Sequence, residues 1–177
     1  MGRLPPSFPF CSNGPVTRII GIDPGLRRAG WGVIDAVGSR LSFVACGTVR
    51  PPQSGDMGHR LIALAGGIED AVGAHAPDAA ALEETFVNEG ARSALLLGQA
   101  RGVCLMVLAG RGFVVGEYAP TVIKKAVVGT GRADKRQVGD MIGRLLPAAR
   151  PASADEADAL AIAICHASHL QSARLTA

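Results

Sequence analysis

The acidic residues in apolar segments are the part of this 177-residue sequence best suited to chemistry. Asp23 follows the continuous apolar run 19–22, which is typical of a strand buried on both faces. Pro24 and Gly25 come next and predict a turn, with proline presetting φ and glycine accepting a positive φ. A carboxylate is therefore expected at a fixed strand end. The alternative is an ordinary turn aspartate that caps its own backbone.

Two further acids lie inside the apolar segment 79–86, which predicts a strand. An ionised side chain there is costly unless it is paired, hydrogen-bonded or bound to a metal. Because side chains alternate along a strand, Glu83 and Glu84 point to opposite faces, so at most one of them shares a site with Asp23. Periodicity alone leaves that choice open. A glutamate at a strand end that reaches solvent is the simpler alternative.

Asp155 and Asp158 open the last predicted helix, three residues apart and therefore on one face. Acids in a first helical turn also complement the helix dipole, which is the purely structural interpretation. The chain has no cluster of histidine or cysteine ligands, so carboxylates in this number indicate a hard cation such as Mg²⁺ or Mn²⁺. Two such ions held by shared carboxylates form a common apparatus for hydrolysis of a phosphodiester.

The elements that must position these acids predict an α/β fold in the order β-β-β-α-β-α-β-α-α-α. An antiparallel hairpin comes first and βαβ crossovers follow, which gives a five-stranded mixed sheet flanked by helices. The predicted strands are 19–22, 29–37, 41–49, 79–86 and 112–118, and the predicted helices are 60–74, 91–108, 121–128, 134–146 and 153–170.

We expect a single domain at 17–171, with a flexible N-terminal extension at 1–16 and a tail at 172–177. Four scattered cysteines fit no disulfide framework and favour a reducing, cytoplasmic compartment. No apolar run approaches the ~20 residues of a membrane span, because Gln99 and Arg101 interrupt the longest one. The helix predicted at 91–108 is apolar nearly all round, and we expect part of it to contact a second copy of the chain.

Positive charge is concentrated in residues 121–150, which carry seven basic and two acidic residues and so a net charge of +5. This asymmetry indicates an anionic partner at one surface. The basic residues are Lys124, Lys125, Arg132, Lys135, Arg136, Arg144 and Arg150.

Five motifs together resemble the RuvC family of bacterial Holliday junction resolvases: IIGIDPG at 19–25, ALEETF at 81–86, LGQARG at 97–102, VVGTG at 127–131 and DEADALAIA at 155–163. The resemblance implies an RNase H-like fold, a homodimer and Mg²⁺-dependent cleavage of four-way junction DNA in recombination and repair. It implies four catalytic and metal-binding acids, Asp23, Glu83, Asp155 and Asp158. It also implies DNA contacts by Phe86, Lys124 and Lys135, and we expect Lys125, Arg132 and Arg136 to bind phosphates as well.

The expected reaction uses two Mg²⁺ ions, which Mn²⁺ can replace, and leaves symmetric nicks with 5′-phosphate and 3′-hydroxyl ends. RuvA and RuvB proteins are possible partners in junction delivery. Three alternatives stay open: a YqgF-like nuclease of the same fold that acts on RNA, an actin-like or sugar-kinase ATP-binding module with a similar Gly-Ile-Asp-Pro-Gly loop, and a junction-binding scaffold without chemistry.

Overall fold

The computed structural model describes residues 15–84 and 90–176. Its elements occur in the predicted order. The strands are β1 (Thr17–Asp23), β2 (Ala29–Val37), β3 (Arg40–Val49), β4 (Ala79–Glu83) and β5 (Gly116–Tyr118). The helices are α1 (Met57–His75), α2 (Ala91–Gly110), α3 (Pro120–Val128), α4 (Lys135–Leu145) and α5 (Ala154–Thr176).

The strands form one mixed sheet in the order β3-β2-β1-β4-β5. β1, β2 and β3 pair antiparallel, whereas β4 pairs parallel with both β1 and β5. This is the antiparallel hairpin followed by βαβ crossovers that the sequence predicts. The parallel β1–β4 pair matters most, because it brings the carboxyl ends of two acid-bearing strands to one edge of the sheet.

Two apolar layers cover the two faces of the sheet, as the continuous apolar run of β1 predicts. Ile19 packs in a cluster with residues of α3, α4 and α5, whereas its neighbour Ile20 packs in a second cluster with residues of α1 and α2. Both isoleucines are fully buried. The odd-numbered positions of β1 therefore face α5, and the even-numbered positions face α1 and α2.

Helix α5 is longer than the helix predicted at 153–170 and continues to Thr176. No proline or glycine interrupts this part of the sequence, and Arg174 donates a hydrogen bond to the hydroxyl of Thr17 (3.2 Å). Strand β5 is shorter than predicted and begins at Gly116 rather than residue 112. Gly112 lies instead in a left-handed turn (φ 88°) after α2.

Helix α2 is long and apolar enough to span a membrane by length and composition alone, a property it shares with core helices of water-soluble proteins. One side of it is buried at Ala100, Cys104, Val107 and Leu108. The other side exposes large apolar side chains, with Leu95 and Met106 each 63% exposed. Of the N-terminal extension, residues 1–14 lie outside the described residues, and residues 15 and 16 are exposed and in no regular element.

Candidate active site

Asp23 and Glu83 lie at the carboxyl ends of neighbouring parallel strands. β1 and β4 pair from Ile19 opposite Ala79 to Ile22 opposite Leu82, so the two acids follow at adjacent positions at the same edge. The turn after Asp23 needs Gly25 for space rather than for a left-handed backbone, since a Cβ there would overlap the carbonyl oxygen of Arg28. The expectation of a positive φ at Gly25 is wrong.

The sheet faces distinguish Glu83 from Glu84. Ala81 packs in the cluster on the α5 side, and alternation puts Glu83 on that same face and Glu84 on the other. Asp23 faces α5 by the same argument, two residues after Gly21, which contacts that helix. The pKa of Asp23 agrees with this placement, because the negative charge of Glu83 helps to raise it.

Close packing against β1 and β2 brings α5 to these two acids. Gly30 on β2 pairs directly with Asp23 on β1. A Cβ on Gly30 would overlap the carbonyl oxygen of Asp155, and a Cβ on Gly21 would overlap that of Ala159. Only glycine permits so close an approach of backbone to backbone. The N-terminal end of α5, which carries Asp155 and Asp158, therefore sits directly over the end of β1.

Burial and mutual repulsion keep protons on the two strand acids. Burial raises the pKa of Asp23 from 3.8 to about 8, helped by the charges of Glu83, Asp158 and Asp155. Burial raises the pKa of Glu83 from 4.5 to about 7, helped by Asp158. The ammonium group of Lys135 opposes both shifts. The acids thus share a region that has more negative charge than its surroundings can neutralise.

Basic side chains contact both acids of α5. The Lys135 Nζ atom lies 3.3 Å from Asp158 Oδ2, and the Arg28 Nε atom lies 3.0 Å from Asp155 Oδ2. The Arg28 contact does not meet hydrogen-bond geometry, so Asp155 Oδ2 is a buried oxygen without a hydrogen bond. In residues 15–84 and 90–176, no three His, Cys, Asp or Glu side chains converge as a preassembled metal site. The acids are neighbours whose charges interact, with two of them held by basic side chains.

The donor set nevertheless fits a hard divalent cation. All of the candidate ligands are carboxylate oxygens, which Mg²⁺ and Mn²⁺ prefer. The buried oxygen of Asp155 lacks a hydrogen bond, and the raised pKa values of Asp23 and Glu83 show that added positive charge would stabilise their ionised forms.

A buried glutamate fixes the start of α5. Glu156 is 7% exposed as a residue, and its carboxylate accepts hydrogen bonds from the backbone N–H of Ala152 (2.7 Å) and the hydroxyl of Thr48 (2.9 Å). Burial works against its ionisation, but these bonds and one from Cys46 lower its pKa overall. Ser153 Oγ accepts from the Glu156 backbone N–H (3.2 Å), as expected for a helix N-cap. β3 thereby holds the helix turn that carries Asp155 and Asp158.

The predicted basic residues divide between two places. Lys124 and Lys135 line a cleft of about 190 Å³ together with Glu83 and Asp158. Lys125 lines a separate groove between α3 and α5, beside His169. Arg132 and Arg136 are exposed, in the loop before α4 and on its first turn. Phe86 lies outside the described residues.

Three residues near the acids were not predicted from the sequence. Arg28 contacts Asp155, and Glu156 anchors α5 to β3. Arg101 donates to the backbone carbonyl of Glu83 (3.3 Å) and pairs with Glu117 on β5, so it holds the end of β4 in place. A signal existed only for Arg101 and Glu156, which lie within the motifs at 97–102 and 155–163.

Comparisons with known proteins agree on one family. A family model described as Crossover junction endodeoxyribonuclease RuvC matches residues 19–166. The protein of that name from Azorhizobium caulinodans is 56% identical over 158 residues, which cover 89% of this chain and 93% of the relative. The one from Paramagnetospirillum magneticum is 57% identical over 152 residues, or 86% and 92% of the two chains.

The fold has a solved counterpart. T. thermophilus RuvC in complex with a Holliday junction substrate superimposes with a TM-score of 0.82 at 29% identity, over 89% of this chain and 96% of that one. The likeness confirms the predicted RNase H-like fold.

Proposed function

Because the chain belongs to the RuvC family of crossover junction endodeoxyribonucleases, we propose that it resolves Holliday junctions by symmetric nicking of four-way DNA. The observation that supports the proposal is the electrostatic coupling of Asp23 with Glu83, Asp158 and Asp155, which raises the pKa of Asp23 at this edge of the sheet. The family match favours this activity over a YqgF-like RNA nuclease and over an ATP-binding module.

The same four acids are the proposed ligands of divalent cations, with Mg²⁺ the expected ion and Mn²⁺ a substitute. When bound, two such ions supply a nucleophile from water at neutral pH and stabilise the departing 3′ oxygen. Nothing in the donor set distinguishes Mg²⁺ from Mn²⁺, since both prefer carboxylate oxygens. The products are then a 5′-phosphate and a 3′-hydroxyl.

The protein contributes position and charge to this reaction. The β1 and β4 backbones fix Asp23 and Glu83, while Glu156 and the glycine contacts fix the turn of α5 that carries Asp155 and Asp158. The cleft lined by Lys124 and Lys135 opens onto Glu83 and Asp158, so both ammonium groups can attract a DNA phosphate toward the acids. Lys135 in addition balances the charge of Asp158 before cations bind.

The proposed assembly is a homodimer that presents two sites to two strands of a junction. Its candidate interface is the apolar face of α2, where Leu95 and Met106 are exposed. Phe86 is proposed to stack on a junction base. Lys125, Arg132 and Arg136 are proposed to bind phosphates farther from the cut. We further propose a single domain at 17–171, a cytoplasmic location, and junction delivery by RuvA and RuvB proteins.

The test compares purified wild type with Asp23→Asn on a synthetic four-way junction in the presence of Mg²⁺. The variant is expected to bind the junction as tightly as wild type and to make no nicks. Asp70→Asn, which changes an exposed acid on α1, is the matched control and should nick normally.

Two results would contradict the proposal. Nicking by Asp23→Asn at the wild-type rate would remove the acids from the mechanism. Faster cleavage of a structured RNA than of the junction by wild type would favour the RNA nuclease instead.

A further inference from the structure

A second basic pocket lies outside the lysine cleft. It has a volume of about 390 Å³ and is lined by Arg27, Arg28, Arg50, Pro51 and Gln53. The lining contains three guanidinium groups and no carboxylate. Its residues come from the turn after β1 and the loop after β3, far in sequence from the basic segment 121–150.

Hydrogen bonds hold the walls of this pocket in place. The Gln53 side chain donates to the carbonyl of Arg27 (3.1 Å) and to that of Pro51 (3.0 Å), so it joins the two loops. Arg60 on α1 donates to the carbonyl of Pro52 (2.6 Å). The arginines therefore project from braced loops, which lowers the entropy cost of binding a ligand between them.

The pocket lies next to the acids. Arg28 lines it and also contacts Asp155 Oδ2 (3.0 Å). Lys135, which lines the lysine cleft, contacts Asp158 one helical turn farther along α5. Basic side chains thus adjoin both acids of α5, and the two basic surfaces are lined by entirely different residues.

The ligand that suits this chemistry is a phosphate of a nucleic acid backbone. Arginine binds phosphate oxygens with paired N–H donors, in a geometry that lysine lacks. Within the described part of the chain, neither Arg27 nor Arg50 has a carboxylate oxygen within 4.0 Å of its guanidinium, so both keep their donors available.

We propose that this arginine pocket binds a backbone phosphate of the strand being cut, on the side of the scissile phosphate away from Lys124 and Lys135. The inference rests on the proposed function and deepens it. A strand held by the lysine cleft on one side and by the arginine pocket on the other is fixed across the acids, which restricts the phosphate that can be attacked.

The experiment measures the salt dependence of junction binding without divalent cations, where no cleavage occurs. Each phosphate contact contributes about 0.9 to the slope of log K against log salt. Arg50→Gln and Arg27→Gln are each expected to reduce that slope by about 0.9. The affinity lost between about 50 and 200 mM salt would then be about threefold smaller than for wild type. Arg50→Lys, which keeps the charge, should retain the wild-type slope.

The matched control is Arg40→Gln, at the opposite end of the same strand. Arg40 begins β3 and Arg50 follows its last residue, so about ten residues at ~3.3 Å place them roughly 30 Å apart. This variant should keep the wild-type slope. Thermal unfolding of each variant shows whether it is folded under the binding conditions.

Each outcome has a distinct meaning. Equal slopes for Arg50→Gln, Arg27→Gln and Arg40→Gln would overturn the arginine pocket and leave the proposed resolvase activity intact. A wild-type protein that does not bind the junction at all would overturn both. A slope reduced in the two pocket variants alone supports the pocket.

Discussion

Replacing Asp23 by asparagine should stabilise the metal-free protein near pH 8 and change it little near pH 4. The folded-state pKa of Asp23 is about 8, against an ordinary value of 3.8. Between those values the unfolded chain has released this proton while the folded chain retains it. The folded state then binds more protons, so the free energy of unfolding falls as pH rises through this window. Asparagine does not titrate, so the variant avoids this fall in the free energy of unfolding.

The size of the effect follows from the shift. One pKa unit corresponds to about 1.4 kcal/mol, so a rise from 3.8 to about 8 sets an upper limit on the order of 6 kcal/mol. The acids are coupled, and Glu83 changes its own protonation when Asp23 is neutralised. We therefore expect a gain of about 2–4 kcal/mol for Asp23→Asn at the alkaline end.

Equilibrium urea unfolding in excess chelator, at pH values from about 4 to 8, measures this difference. The wild-type free energy of unfolding should decline across the range, and the Asp23→Asn curve should be flatter and cross above it. The matched control is Asp70→Asn, at an exposed position of α1, which should follow the wild type. A variant that is less stable than wild type at pH 8, or that shows the same pH slope, would refute the reasoning.

Three other changes test the supports of the site. Glu156→Ala leaves the Ala152 N–H and the Thr48 hydroxyl without their acceptor, so the free energy of unfolding measured in urea should fall by about 2–3 kcal/mol. A fall of less than about 0.5 kcal/mol would contradict the role of Glu156 as an anchor of α5. Gly30→Ala should push α5 from β2 and lower nicking more than junction binding; unchanged nicking contradicts it. Leu95→Glu should dissociate the proposed dimer in sedimentation velocity, whereas Ile62→Glu on α1, where Ile62 is 70% exposed, should not. A Leu95→Glu protein that dimerises as the wild type does would contradict the α2 interface.

Local patterns were sufficient for the order of the elements and for the positions of the acids. The apolar run of β1 and the capped start of α4 each depend on residues that are close together in the sequence. Asp134 accepts from the Gln137 N–H (2.9 Å), as aspartate does at a helix N-cap. The choice between Glu83 and Glu84 needed more than periodicity. The family resemblance selects Glu83, and the physical reason is the pairing of β4 with β1 together with the side of the sheet that α5 covers.

Long-range contacts were beyond local patterns. Arg28 meets Asp155 from 127 positions away, and Thr48 meets Glu156 across 108. Such contacts depend on how α5 crosses the sheet. Gly21 and Gly30 allow the α5 backbone to approach the strands closely, because a Cβ at either position would overlap that backbone. Element ends were also less predictable, as the extension of α5 to Thr176 shows, because no proline or glycine marks its end and helix ends fray.

The most direct test of the shared-acid site is a titration with Mn²⁺ in which the free ion is followed by electron paramagnetic resonance. Wild type and the control Asp70→Asn should bind two ions per chain, as a two-metal nuclease requires, and should release protons because Asp23 and Glu83 must ionise. Asp23→Asn should lose this binding. Equal affinity, ion number and proton release in Asp23→Asn and wild type would contradict the account.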